Sequence, residues 1–313
     1  MGSTRRKFVA ACAASLGLLS RASAAAAAAD AAKRTRLVLL GTGGGPRPRK
    51  SRSAPAQAIV IDDAIYVVDC GDGVARQMVS ADLPLAAIRG VFITHHHSDH
   101  NADYGNLLLL AWAAGLRTRV DTYGPPPLEK MTRLFLEMNA TDIEARIADE
   151  GRQLLAPLIV AHDISSPGKI FEDARVRVTA ALVDHPPMVP AFAYRLDSAD
   201  RSIVISGDTK YSPNLIALAK NADVLVHEVM LPEAVERLAR NVPNAPDLAR
   251  SILSHHTSAE DVGRVAAAAG VKMLVLTHFV PSEDPKVTEE TWLSAVRRHY
   301  QGPVVVGKDL DSI

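Results

Sequence analysis

The segment Thr94-His95-His96-His97-Ser98-Asp99-His100 crowds imidazoles and a carboxylate into one short stretch of a chain with 11 histidines. It follows the apolar run 91–94, so these residues fall in a strand-end loop and the first turn of the next helix. In extended backbone His95 and His97 point the same way, because successive side chains alternate faces. Asp99 and His100 then follow on a tightening turn. Nitrogen and oxygen donors in this mix suit a borderline cation such as Zn(II), with Fe or Mn as alternatives. A random surface histidine run would not abut a buried strand or include the acid.

These residues resemble a known family. His95-x-His97-x-Asp99-His100 matches the H-x-H-x-D-H motif of the metallo-β-lactamase fold hydrolases. The family's other motifs occur in order, each at the end of an expected strand. Asp69 matches the first, structural Asp. His185, in Val183-Asp184-His185-Pro186, matches the third-motif His. Asp208, in Ser206-Gly207-Asp208-Thr209, matches the bridging Asp. His278, in Leu276-Thr277-His278-Phe279, matches the last His. The resemblance runs over roughly residues 36–280. It implies a single α/β domain, a four-layer αββα sandwich, with two Zn(II) ions per chain. One ion would be held by His95, His97 and His185, the other by Asp99, His100 and His278, with Asp208 and a hydroxide bridging them. Asp99 would double as proton acceptor.

Further motifs narrow the branch. Leu40-Gly41-Thr42-Gly43-Gly44-Gly45-Pro46 and Asp69-Cys70-Gly71-Asp72-Gly73 are similar to openings in the ribonuclease Z and arylsulfatase-like branch. His227-Glu228-Val229 and His256-Thr257-Ser258 partly match its H-E-A-T and H-S-T motifs, with Val for Ala and Thr-Ser for Ser-Thr. By that resemblance Glu228 orients His256, and His256 contacts the substrate or its leaving group. The branch's tRNA-processing members carry a basic, Gly-rich arm. Residues 129–173 instead hold five basic and nine acidic residues. That imbalance repels a phosphate backbone, and the segment reads as a helical cover over the site. Arg47, Arg49, Lys50 and Arg52 form a basic cluster suited to an anionic leaving group.

Periodicity supplies the frame for these loops. Apolar runs predict strands over 36–41, 58–61, 65–69, 91–94, 119–123, 176–183, 191–196, 202–206, 224–227, 272–277 and 304–306. Helices are expected over 73–80, 98–115, 128–155, 212–220, 232–240, 258–269 and 287–299. Strands come first in pairs and then alternate with helices, which is a layered α/β or α+β pattern.

Composition sets the outer bounds. The 313 residues carry 35 basic and 35 acidic side chains and are 48% hydrophobic, which excludes a disordered or strongly basic chain. Aromatics are only 4%, so aliphatic residues must build most of the core. The zero net charge hides a basic start, with Arg5, Arg6, Lys7 and Arg21 and no acid in the first 29 residues. Arg5-Arg6-Lys7-Phe8-Val9, a weakly apolar stretch and an Ala-rich run read as a twin-arginine export signal over 1–29. Residues 30–313 are then the hydrolase domain, periplasmic or secreted, with the export machinery as a partner and no stable membrane anchor. Without the signal the chain is net −4. With the resemblance above, the expected function is an exported hydrolase of a sulfate ester or phosphodiester in a small anionic substrate, and the negative charge makes nucleic acid unlikely as a partner. A lactonase or β-lactamase is the alternative, and a tRNA 3′-processing ribonuclease Z ranks last. The oligomeric state is left open.

Overall fold

The computed structural model describes residues 35–313 apart from Pro243. The expected export signal lies outside the described residues. Two sheets form the centre. The first contains Thr35–Gly41 (β1), Ala56–Ile61 (β2), Ala64–Val68 (β3), Ile88–Phe92 (β4), Val120–Gly124 (β5) and Ile159–Asp163 (β6), side by side in that order. The second contains Gly168–Glu172 (β7), Val176–His185 (β8), Met188–Ser198 (β9), Ser202–Ile205 (β10), Val224–Met230 (β11), Leu274–Val280 (β12) and Val304–Val306 (β13). Each sheet opens as an antiparallel meander and ends as parallel strands. Parallel strands need crossovers, and the helices supply them.

The helices are Val74–Ser80 (α1), Ser98–Asn101 (α2), Tyr104–Ala113 (α3), Leu128–Met138 (α4), Ala140–Glu150 (α5), Pro213–Leu218 (α6), Pro232–Arg240 (α7), Leu248–His255 (α8), Ala259–Ala269 (α9) and Glu289–Val296 (α10). Alternation along β1 explains the layering. Leu37 and Leu39 face the second sheet, while Val38 and Leu40 face helices α1 and α3. A third apolar layer packs α6, α9 and α10 on the outside of the second sheet. Strands buried on both faces give the expected four-layer αββα sandwich. The few aromatics gather between the sheets, where Phe92, Phe171, Tyr123 and Tyr194 meet with ring centroids 5.7–5.9 Å apart. The C-terminal residues close the edge of the first sheet, with Leu37 and Ile313 exchanging backbone hydrogen bonds of 2.8 and 3.0 Å.

Several expected elements differ in detail. The helix over 98–115 is broken before Tyr104, because Asp103 turns back: its N–H bonds the Cys70 carbonyl and its carboxylate accepts from Gly73 N–H. The region 128–155 divides at Asn139. Strands β6 and β7 and helix α8 are absent from the periodicity reading, being short and only partly apolar. Among the described residues no helix is long and apolar enough to cross a membrane.

Candidate metal centre and active site

The ends of β3, β4, β8, β10, β11 and β12 converge on one polar cluster. Asp69 follows β3 in the left-handed region (φ 61°), and His278 within β12 is there too (φ 45°). Such backbone costs about 1–3 kcal/mol in a residue with a Cβ and persists only where surroundings impose it. Here the imposed geometry aims functional groups. Asp69 accepts from Thr94 N–H at 2.8 Å and from His100 Nδ1–H at 2.7 Å.

The hydrogen bonds behind each ring decide where its lone pair points. His100 donates through Nδ1 to Asp69, so Nε2 faces inward as an acceptor. His185 donates through Nδ1 to the His255 carbonyl at 3.0 Å, which leaves its Nε2 lone pair inward as well. Thr94 Oγ1 donates to Asp69 and so accepts from His95 Nδ1, 3.1 Å away, again freeing Nε2. His97 Nδ1 lies 3.0 Å from both His95 Nε2 and His185 Nε2. One nitrogen with a single lone pair or proton cannot serve two such acceptors. A shared cation resolves that conflict.

Asp208 stands between the two halves. Its Oδ2 is 3.8 Å from His95 Nε2 and His185 Nε2 on one side, and 3.3 and 3.1 Å from His100 Nε2 and His278 Nε2 on the other. Asp99 Oδ2 is 3.4 Å from His278 Nε2 and 3.6 Å from His100 Nε2. The buried atoms His100 Nε2, His278 Nε2 and Asp208 Oδ1 lack any hydrogen-bond partner. Buried orphans of this kind are rare and need an explanation. The donor atoms group as His95, His97, His185 and Asp208, and as Asp99, His100 and His278. The residues fit a dinuclear site.

Electrostatics agree. Burial holds His185 down at about 3. Burial also depresses His278, but Asp208 and Asp99 outweigh it and push His278 up to about 10. A cluster with this many carboxylates needs positive charge, and takes protons where no cation is bound.

Beside the cluster, His256 Nδ1 lies 2.9 Å from Glu228 Oε2. Glu228 also accepts from Thr209 N–H at 2.9 Å and Thr257 N–H at 3.3 Å through its other oxygen, which locks its orientation. Burial disfavours a charged His256, but the Glu228 carboxylate overrides this and raises its pKa. A pocket of about 390 Å³ opens onto His97, Asp99, Asp208, His256 and His278.

All nine sequence-expected site residues come together. Others were missed or misplaced. His255 contributes its carbonyl and its ring to the wall. Gly45 donates its N–H to Asp99 at 2.8 Å. The cover over the pocket is α7 and α8, through Leu238, Leu248 and Ile252, and residues 129–173 contribute nothing to its lining. That segment packs instead over α3, with Trp112, Ile143 and Leu155 in a small core. The basic cluster also divides. Arg47 and Arg49 line the pocket, Lys50 lies outside it and so has no place in anion binding there, and Arg52 turns inward over the Phe279 ring at 4.2 Å and bonds the Gly307 carbonyl.

Residues 65–279 match the description "Beta-lactamase superfamily domain". The chain belongs to the metallo-β-lactamase superfamily. Like its relatives, this superfamily member is a metal-dependent hydrolase acting on ester bonds. It is 30% identical over 251 residues to ribonuclease Z of Mycobacterium bovis, covering 79% of this chain and 87% of that protein. It is similarly 30% identical over 262 residues to ribonuclease Z of Mycobacterium marinum, covering 83% and 91%. Among solved structures, the short form of human tRNase Z superimposes with a TM-score of 0.64 at 22% identity, covering 89% of this chain and 98% of that one. The likeness to human tRNase Z is one of fold.

These relatives correct two sequence expectations. A small sulfate-ester or phosphodiester substrate is displaced, and so is the view that nucleic acid is unlikely as a partner, because the full-length relatives are ribonucleases. The two mycobacterial relatives are both named ribonuclease Z, and the arylsulfatase side of the branch gains no support from them. The physical error lay in using segment charge. The acids of residues 129–173 do not line the pocket, and several are paired, as in Arg146 with Asp142 and Glu150. Charges more than about 8 Å from a bound phosphate are largely screened at physiological salt.

Proposed function

We propose that this protein is a dinuclear zinc phosphodiesterase that cleaves RNA, with transfer RNA precursors as the substrate to test first. The observation carrying the reading is a two-cation cradle beside a carboxylate-held histidine, in a chain whose relatives along most of its length are ribonuclease Z. His95, His97 and His185 would hold one ion, and Asp99, His100 and His278 the other, with Asp208 between them. Imidazole and carboxylate donors suit zinc. Bound divalent ions supply Lewis acidity and a hydroxide at neutral pH.

The chain's own residues do the remaining work. Asp69, Thr94 and the His255 carbonyl hold the imidazoles in the required tautomers. Gly45 N–H orients Asp99, the candidate proton acceptor. His256, whose protonated form Glu228 favours, is placed to give a proton to the departing oxygen, a role worth about 10²–10⁴ in rate. Arg47 at the pocket mouth supplies charge for a phosphate oxygen.

The test is turnover of the zinc-loaded chain on a precursor tRNA with a 3′ trailer. Endonucleolytic release of the trailer supports the reading, and an intact precursor beside an active, metal-loaded protein contradicts it. Export is a separate proposal, resting on Arg5-Arg6-Lys7-Phe8-Val9. Mass spectrometry of the protein from its host should find an N-terminus near residue 30, and an uncleaved cytosolic chain would overturn it.

A further inference from the structure

A second cleft, about 490 Å³, adjoins the metal pocket and shares Arg47, Arg49 and Leu238 with it. Its other walls are Arg237 of α7 with Asn241 just beyond that helix, and the loop after β12, through Ser282 to Lys286. Four cations and two acids face this space. Most of them are already committed. Arg237 binds Asp284 at 2.7 Å and Glu283 accepts from Ser51 Oγ at 2.7 Å. Arg49 is bound to the carbonyls of Gly44, Gly45 and Arg47, so it stiffens the loop. Two cations are left over. Among the described residues no hydrogen bond or ion pair holds the Arg47 guanidinium or the Lys286 ammonium, although the Lys286 charge is felt by Asp284, and both residues are exposed. The committed pairs build the walls, and the free pair leaves the cleft a surplus of positive charge. The cleft meets the metal pocket at the shared residues Arg47, Arg49 and Leu238.

We propose that this cleft is a second phosphate subsite, which takes a backbone phosphate of the RNA away from the one being cleaved. Lys286 and Arg47 are its contacts, and Arg237 with Asp284 holds its far wall. The inference rests on the RNA reading above. It explains how a chain with an acidic 129–173 segment grips a polyanion: the cleft is walled by α7 and the loops after β1 and β12, and by none of residues 129–173.

The experiment measures KM and kcat of the zinc-loaded full chain on the precursor tRNA at several salt concentrations. Lys286→Ala should raise KM about three- to ten-fold with kcat within two-fold, and Lys286→Glu should raise it further. The slope of log KM against log salt should flatten by about 0.7–0.9, the value for one lost phosphate contact. Lys50→Ala is the charge-matched control, because Lys50 sits on the same loop outside the cleft. Its KM should stay at the parental value. An equal rise for Lys50→Ala, or none for either Lys286 variant, overturns the subsite while leaving RNA cleavage intact. No cleavage by the parent chain overturns both readings.

Discussion

At the residue scale the chemistry depends on which atoms face the centre. Five imidazoles and two carboxylates do so, and for three of the rings a hydrogen bond at the outer nitrogen decides the inner one. Removing Asp69's carboxylate, as in Asp69→Ala, frees the His100 ring and should lower metal affinity about 10–100-fold, read by competition with a zinc chelator. The Glu228–His256 pair makes a different prediction. His256→Ala should cut kcat by about 10²–10⁴ while two zinc ions per chain remain by elemental analysis. Glu228→Gln removes the carboxylate that raises the His256 pKa. The protonated form is then lost at lower pH, so the alkaline limb of the pH–rate profile should move down in pH. An unmoved limb would show that His256 does not supply the proton. The motif cluster 95–100 was plain in the sequence because its donors are contiguous. His185, Asp208 and His278 were legible only in its company. The roles of Thr94, Thr209 and the His255 carbonyl were not, since backbone groups and hydroxyls carry no spacing signature.

Elements explain why the site is rigid. Strands buried on both faces end together, and their terminal residues need little further fixing. Gly44, after β1, shows how tight this is: a Cβ there would lie 2.6 Å from His278 Nδ1 and 2.8 Å from a Val280 methyl carbon. Gly44→Ala should therefore displace His278 and lower zinc stoichiometry toward one, with the far-UV circular dichroism unchanged. Full occupancy in that variant would mean the loop yields easily. Strands such as 36–41 and 224–227 were readable because they are short apolar runs between turn residues. Helix α8 was not, since its stripe is interrupted by Ser251 and Ser254, and only the fold shows that Ile252 packs against Met230, Val235 and Val280. The same gap hid the true cover of the pocket, and 129–173 took its place in the reading.

For the whole molecule, the lesson concerns charge. A net charge of −4 without the expected signal and an acidic segment argued against RNA, yet binding responds to the charges within a screening length of the pocket. Arg47 and Arg49 line that pocket and the 129–173 acids do not. The two sheets are joined through the metal cradle, with His95, His97, Asp99 and His100 from the first and His185, Asp208 and His278 from the second. Loss of the ions should then loosen the sheets against each other. Zinc at about 100 times its Kd adds roughly 2.7 kcal/mol, so chelation should lower Tm by on the order of 5–10 °C. Calorimetry with and without chelator measures this, and an unchanged Tm would mean the cradle holds itself together unaided.

The most direct measurement is the product of the purified zinc-loaded chain acting on a precursor tRNA, resolved by gel and by mass spectrometry of the ends. The expected result is a single endonucleolytic cut near the 3′ end, abolished by Asp208→Ala and slowed at least 100-fold by His256→Ala. An uncut precursor, or cleavage that survives Asp208→Ala, would contradict it.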